Sequence, residues 1–387
     1  MGRVDNQRRL FLELIGELRP HWRTDPGLPR RVQSWLVRKR AGSRDRRLYR
    51  ELAFTALRIL PWIEAGGNDD ALIALVARHA ARSRATTAFI DAFHDQTDTP
   101  PEPRKWAELL PAWIETECPE LLAPPTRDAM LSRAPLWIRI QTNDSASIAA
   151  EFTENQWEWA VSNHLTSAWR ITGDPPLITS RSFAAGQFEI QDVGSQTLLT
   201  LLPDLPAGRW LDACAGAGGK TLQLAQLLPA TTDIVAHDVR AAALAELASR
   251  AKRAGIPNIT VVDKIDGEFD AVLVDAPCSG SGTWRRAPHL KWTTSPRTIV
   301  RSARRQMNLL DEFANHVKPG GMLVYATCSI CRSENSAVSV AFLAGHPHFR
   351  PIDLTHPTTG EQSADGITLL PDQLDSDGYF VAAFRRS

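Results

Sequence analysis

The stretch AVLVDAPCSGSG, residues 271–282, decides the fold. Its valine-rich apolar run ends in Asp275, and Pro277, Gly280 and Gly282 follow. A continuous apolar run of this length reads as a strand buried on both faces, the composition of a parallel sheet, and the Pro/Gly cluster reads as the loop it enters. In open α/β sheets ligands bind beyond the carboxyl ends of the strands, which places Asp275 and Cys278 at the expected reaction site.

Two neighbouring stretches read the same way. In WLDACAGAGGKT, residues 210–221, a strand ends at Asp212 and a glycine-rich turn follows through Cys214, Ala215, Gly216, Ala217, Gly218 and Gly219 to Lys220. A helix is expected over 221–228. Glycines let a ligand approach the backbone, and the helix start offers unpaired amides. A Walker loop needs glycine where Cys214 stands, and the three glycines do not make G-x-G-x-x-G, so nucleoside-triphosphate and dinucleotide fingerprints are excluded on spacing. In GGMLVYATCS, residues 320–329, another strand runs out into a cysteine, Cys328.

Working outward, strands expected at 209–212, 233–237, 259–262, 269–274 and 322–326 alternate with helical stretches, the pattern of a mostly parallel, doubly wound sheet. Asp238 follows the second strand, where a carboxylate commonly accepts from ribose hydroxyls, and Asp263 follows the third. Taken singly, each reads as a turn or cap aspartate. Their order along the sheet, together with the glycine loop, favours binding.

Two strand-end cysteines beside an aspartate and a glycine-rich loop form a specific combination. On these motifs the chain resembles the Sun/RsmB family of S-adenosylmethionine-dependent RNA cytosine-5 methyltransferases, over residues 110–387 and ending in the characteristic DGYFVA at 377–382. The resemblance implies an α/β class I methyltransferase (Rossmann-like) doubly wound sheet, preceded by a small α+β RNA-recognition-like module and an all-helical N-terminal domain. It also implies S-adenosyl-L-methionine as cofactor, held by residues 214–220 with Asp238, with Asp263 at the adenine and Asp275 near both the methionine moiety and the target base. Cys328 would attack the base, Cys278 would assist product release, and Lys220 would stabilise charge nearby. The chain departs from the family's usual Cys-Ala-Ala-Pro-Gly-Gly-Lys-Thr at Gly216 and Ala217. It is short between Asp263 and Phe269, and it carries His289 where the family usually has aspartate. The loop 285–292 around His289 is expected to touch RNA.

Three domains are expected: 1–105, helical and similar in residues 42–58 to a NusB-like domain; 106–190, a linker helix and the RNA-recognition-like module; and 191–387, catalytic. In the first, Leu10, Phe11, Leu14, Ile15 and Leu18 recur at helical spacing, as do Leu48, Leu52, Leu57 and Leu60, with Ser43 as cap. Residues 97–104, with Pro100, Pro101 and Pro103, read as a linker. In the module, residues 135–142 alternate as a strand, 145–154 suit a helix, and 178–182 and 186–190 read as short strands. Trp137, Phe188, Trp284 and Trp292 are candidates for stacking on bases, with packing the favoured reading for Trp137 and Phe188.

The 44 basic residues balance 44 acidic ones, but residues 1–50 hold 14 Lys/Arg against 5 Asp/Glu, which suggests an acidic partner such as nucleic acid. Five cysteines, an odd count without a secretory signal, favour reduced cytosolic thiols over a disulfide framework. Cys328 and Cys331 form a lone C-x-x-C without further ligands at zinc spacing, so no metal is expected. No apolar run approaches the roughly 20 residues needed to cross a membrane. The expectation is a cytoplasmic, monomeric enzyme methylating carbon 5 of cytosine in RNA, ribosomal RNA first and transfer RNA as the alternative. A non-catalytic RNA-binding protein on the same fold is the reading from another class. A DNA cytosine methyltransferase is disfavoured, since it would carry a separate target-recognition region and use the Pro-Cys cysteine.

Overall fold

The computed structural model describes residues 2–94 and 105–387, so the expected linker at 97–104 lies outside the described residues. The chain divides into two units, Met1–Arg133 with Thr283–Ser295, and Ala134–Gly282 with Pro296–Ser387. The sequence reading instead places boundaries at 105/106 and 190/191.

The first unit is helical. Phe11, Leu14, Ile15 and Leu18 form the buried stripe of the helix Arg3–Leu18. Leu48, Leu52 and Leu57 do the same for Ser43–Arg58. Leu60 instead opens a short helix, Leu60–Ala65, because Pro61 fits a first turn and not a helix interior. The N-cap of Ser43–Arg58 is Gly42, in extended conformation, and not Ser43, which is already helical.

The segment Thr283–Ser295 completes this unit. Trp284 is buried, which makes it a packing residue, and Arg285, His289 and Lys291 are buried with it, while Arg286 in the same loop is exposed. A helix leaves its last carbonyls without intrahelical partners. Here Lys291 Nζ donates to Arg58 O at 2.9 Å and Trp292 Nε1 to Leu57 O at 2.5 Å, satisfying the end of Ser43–Arg58. Trp284 packs edge-on against Trp113. Composition alone does not separate such a buried plug from an exposed loop.

In the second unit, strands β1 (Leu136–Ile140), β2 (Trp159–Val161), β3 (Ala168–Ile171) and β4 (Phe188–Ile190) form a small antiparallel sheet in the order β2-β3-β1-β4. The helix Ser145–Glu154 is capped by Asp144, which accepts from Ser147 N at 3.1 Å. Ile138, Ile148, Phe152, Trp169 and Phe188 make the module's core. Residues 178–182 are not the expected strand. They form a 3-10 turn (Leu177–Thr179) and a short helix (Arg181–Ala184), whose first amides are taken by Ser180 Oγ and by Glu151, which accepts from Arg181 N at 2.7 Å and Ser182 N at 2.9 Å. Strand alternation turns Trp137 and Arg139 to the other face of β1. Trp137 enters the core of the larger sheet, and Arg139 Nε donates to Gln191 Oε1 at 2.6 Å. Burial pushes the Arg139 guanidinium down to about 9. Both Trp137 and Phe188 are therefore packing residues.

The larger sheet contains β5 (Arg209–Asp212), β6 (Asp233–Ala236), β7 (Ile259–Val261), β8 (Phe269–Asp275), β9 (Val317–Thr327), β10 (Phe349–Ile352), β13 (Ile367–Leu369) and β14 (Tyr379–Arg386). A separate hairpin pairs β11 (Leu354–Thr355) with β12 (Gln362–Ser363). The order is β10-β14-β9-β8-β5-β6-β7, with β13 on β14. β5 to β9 pair parallel, as expected; β10, β13 and β14 add an antiparallel edge that the sequence reading does not foresee. Both faces are covered. Trp210, Leu273 and Val324 face one core, while Leu211, Val272, Val274 and Tyr325 face the other.

Candidate functional site

Because β5, β6, β8 and β9 run parallel, they deliver Asp212, Asp238, Asp275 and Cys328 to one edge of the sheet. Asp212 is fully buried, accepts from Thr221 Oγ1 at 2.7 Å, and is pushed up to about 7 by burial, against Thr221's hydrogen bond. It thereby locks the start of the helix Gly219–Leu227 to the end of β5.

The loop between them needs its glycines. Gly216 and Gly218 have φ of 54° and 87°, the left-handed region. A Cβ at Gly218 would stand 2.6 Å from Leu247 Cγ. The departure at Gly216 thus has a backbone use, and its amide donates to Asp238 Oδ2 at 2.8 Å. Arg240 grips the same carboxylate, with its Nε and Nη2 each 2.9 Å from an oxygen. The Arg240 side chain, then its backbone amide and that of Gly216, hold Asp238 down to about 2 against burial. Asp263 is exposed beyond β7, and among the described residues no hydrogen bond joins it to this cluster.

Lys220 Nζ lies 2.7 Å from Asp275 Oδ2. Cys214 is half-buried. Burial, then the charges of Asp212, Asp275 and Asp238, push its thiol up and keep it protonated.

The two remaining sulfurs meet. Cys278 Sγ and Cys328 Sγ are 3.3 Å apart. Backbone bonds fix their loops, with Ala276 N donating to Ala326 O at 2.8 Å and Gly282 N to Cys328 O at 3.1 Å. Gly282 O accepts from Gly378 N at 2.8 Å, and a Cβ at Gly282 would lie 2.0 Å from Gly378 O, so only glycine fits. The hydrogen bond with Cys328, then burial, push the Cys278 thiol well above its usual range.

The structure adds residues the sequence reading omits. Buried Glu334 accepts from Ser279 and Ser329, each next to a cysteine, and Asn335 and Gln306 bond the same loops. Cys331 is buried and donates to Ser281 Oγ, which gives the C-x-x-C a packing role. No cysteine forms a disulfide, and among the described residues no cluster of His, Cys, Asp or Glu is placed to hold a metal. No described helix is long and apolar enough to cross a membrane.

Residues 199–385 match the family described as 16S rRNA methyltransferase RsmB/F. Ribosomal RNA small subunit methyltransferase B of Enterobacter sp. (strain 638) is 34% identical over 274 residues, 66% of this chain and 60% of that protein. The chain thus spans about three fifths of the length of that relative. The protein of the same name from Xylella fastidiosa (strain 9a5c) is 31% identical over 341 residues, 84% of this chain and 76% of its own. A solved structure designated PH0851 shares the fold, with a TM-score of 0.78 over 100% of this chain and 99% of that chain at 23% identity.

Proposed function

Because this chain belongs to the 16S rRNA methyltransferase RsmB/F family, we propose that it methylates carbon 5 of a cytosine in small-subunit ribosomal RNA through a covalent adduct on Cys328. The fold is that of class I methyltransferases. The observation that carries the chemistry is the pair of sulfurs 3.3 Å apart at the ends of adjacent parallel strands, beside the Lys220–Asp275 pair.

Carbon 5 of cytosine is a weak nucleophile. Addition of the Cys328 thiolate to carbon 6 moves electron density to carbon 5 and ring nitrogen 3; Asp275 in its protonated form gives nitrogen 3 the hydrogen bond it needs, and Lys220 beside it stabilises the charge that is left on the carboxyl group. S-adenosyl-L-methionine, when bound, supplies an electrophilic methyl group. The residues present fit it: the left-handed turns at Gly216 and Gly218 bring backbone close to a ligand, the helix start at Gly219 offers amides, and Asp238 provides a ribose acceptor at the end of β6. Asp263 is the proposed adenine contact. Once carbon 5 carries the methyl group, a water molecule takes its remaining proton, the electron pair of that bond re-forms the carbon 5–carbon 6 double bond, the carbon 6–sulfur bond breaks with its electron pair returning to Cys328, and Cys278 assists that release. Five cysteines without a disulfide suit the reducing cytoplasm.

Incubating the full chain with S-adenosylmethionine and either small-subunit rRNA or transfer RNA, followed by bisulfite sequencing, tests the reading. A single protected cytosine in the rRNA is expected. Protection confined to transfer RNA rejects the substrate, and none in either RNA rejects the activity.

A further inference from the structure

Glu334 is fully buried, and its carboxylate accepts four hydrogen bonds from three separate segments. Oε1 takes Ser279 N at 2.8 Å and Gln306 Nε2 at 3.1 Å; Oε2 takes Ser329 Oγ at 2.7 Å and the Ser279 hydroxyl. Ser279 directly follows Cys278, and Ser329 directly follows Cys328. Gln306 also donates to Pro277 O at 3.1 Å, on the other side of Cys278. The Glu334 backbone is itself fixed, since the Tyr325 hydroxyl donates to its carbonyl. The next residue, Asn335, brackets Cys328 by accepting from Thr327 Oγ1 at 2.8 Å and donating to Ser329 O at 2.9 Å.

Burying a carboxylate is costly, and among the described residues no lysine or arginine pairs with this one. It is held by charge-assisted hydrogen bonds alone. A site that only needed filling would hold an apolar side chain. A group with two acceptor oxygens is needed where two cysteine-bearing turns must be tied to each other. We propose that Glu334 is the positioning residue that sets the spacing of the two thiols, by bridging the serine after Cys278 to the serine after Cys328. The role rests on the reading of these cysteines as the nucleophile and the release group.

The hydrogen-bond directions make glutamine a poor substitute. Ser329 Oγ already receives from Cys331 N at 3.0 Å and from Ser281 Oγ at 2.8 Å, and its own proton goes to Glu334. In Glu334→Gln an amide nitrogen facing that hydroxyl leaves its proton without an acceptor.

The test treats the full chain with dibromobimane, which bridges neighbouring thiols, and reads the Cys278–Cys328 cross-link by peptide mass, alongside kcat and KM for methylation. Wild type is expected to cross-link. Glu334→Gln is expected to slow cross-linking and lower kcat, each by about ten- to a hundredfold, the loss of a hydrogen bond to a charged group, with KM unchanged. Absence of the cross-link in wild type, or a wild-type cross-linking rate in folded Glu334→Gln, overturns the proposal. If Glu334→Gln does not fold, Ser329→Ala decides, because it removes the link to the Cys328 turn, whereas Ser279→Ala would keep the Ser279 amide on Glu334. Slower cross-linking in Ser329→Ala supports the bridge, and a wild-type rate in it overturns the bridge. A Glu334-dependent cross-link in a chain without methyltransferase activity keeps the bridge and rejects the proposed reaction.

Discussion

Lys220 meets Asp275 at 2.7 Å, joining the glycine loop after β5 to the end of β8. Lys220 is buried while Asp275 remains a third exposed, so the pair holds one carboxylate oxygen in the protein and leaves the other side of the group open. The contact couples the cofactor loop to the residue proposed to face the base. Lys220→Met is expected to lower kcat by about 1.5–3 kcal/mol of barrier, the worth of a hydrogen bond to a charged group. Steady-state kinetics check it. A change confined to KM for S-adenosylmethionine would place Lys220 in cofactor binding alone.

The two thiols should be separable by what they trap. Cys328→Ala is expected to abolish methylation without forming an adduct, and Cys278→Ala to accumulate an enzyme–RNA complex that survives denaturing electrophoresis. Trapping by Cys328→Ala and not by Cys278→Ala reverses the roles.

Arg240 occupies the carboxylate proposed for the ribose. Asp238→Ala should weaken cofactor binding by about 1.5–3 kcal/mol, whereas Arg240→Ala, which leaves the acceptor open, should preserve or tighten it. Calorimetry with S-adenosylmethionine distinguishes the two; equal losses in both variants would make the ion pair a structural clamp.

Burial pushes His289 down to about 4. An unfolded imidazole titrates near 6.5, so the unfolded chain binds the extra proton first, and the neutral histidine's contribution is complete above about pH 6.5 and is lost as pH falls towards 4. The full loss is about 3 kcal/mol. Melting curves at neutral pH and at about pH 5 should show wild type losing more stability than His289→Gln. Parallel losses would assign the acid sensitivity elsewhere.

The basic segment is partly neutralised at home. Arg8, Arg23, Arg31, Arg38 and Lys39 sit in ion pairs with carboxylates of the helical unit. Arg40, Arg44 and Arg47 are exposed. Replacing these three with glutamine should flatten the salt dependence of RNA binding by about 0.7 in log–log slope per lost phosphate contact. Replacing Arg8 and Arg38 should not, and an unchanged slope in the triple variant would remove this segment from RNA binding.

The parallel strands were legible because their signal is local: an apolar run, then Asp212, Asp275 or Cys328, then glycine or proline. The site's framework was not. Glu334 lies in a Ser-Glu-Asn run that reads as a solvated turn, and only the arrival of Ser279 and Gln306 from far along the chain, beside nearby Ser329, makes its carboxylate a bridge. Residues 178–182 carry strand-like composition, but Ser180 and Glu151 satisfy helix-start amides there, a choice made by a residue about thirty positions away. The antiparallel edge at β14 sits in a stretch noted only for its family signature. Trp284 and Trp292 look alike in sequence whether they stack on a base or plug a helix end.

Placing Thr283–Ser295 within the helical unit also sets an order of events during synthesis. The last carbonyls of Ser43–Arg58 wait for Lys291 and Trp292, which leave the ribosome only after β5 to β8 have been made. The first-made helices are therefore completed only after half of the larger sheet has been made, and a nascent chain arrested before residue 291 leaves the end of Ser43–Arg58 without these partners. That lag exposes apolar surface for as long as the intervening strands take to be translated, the interval in which a chaperone has most to do.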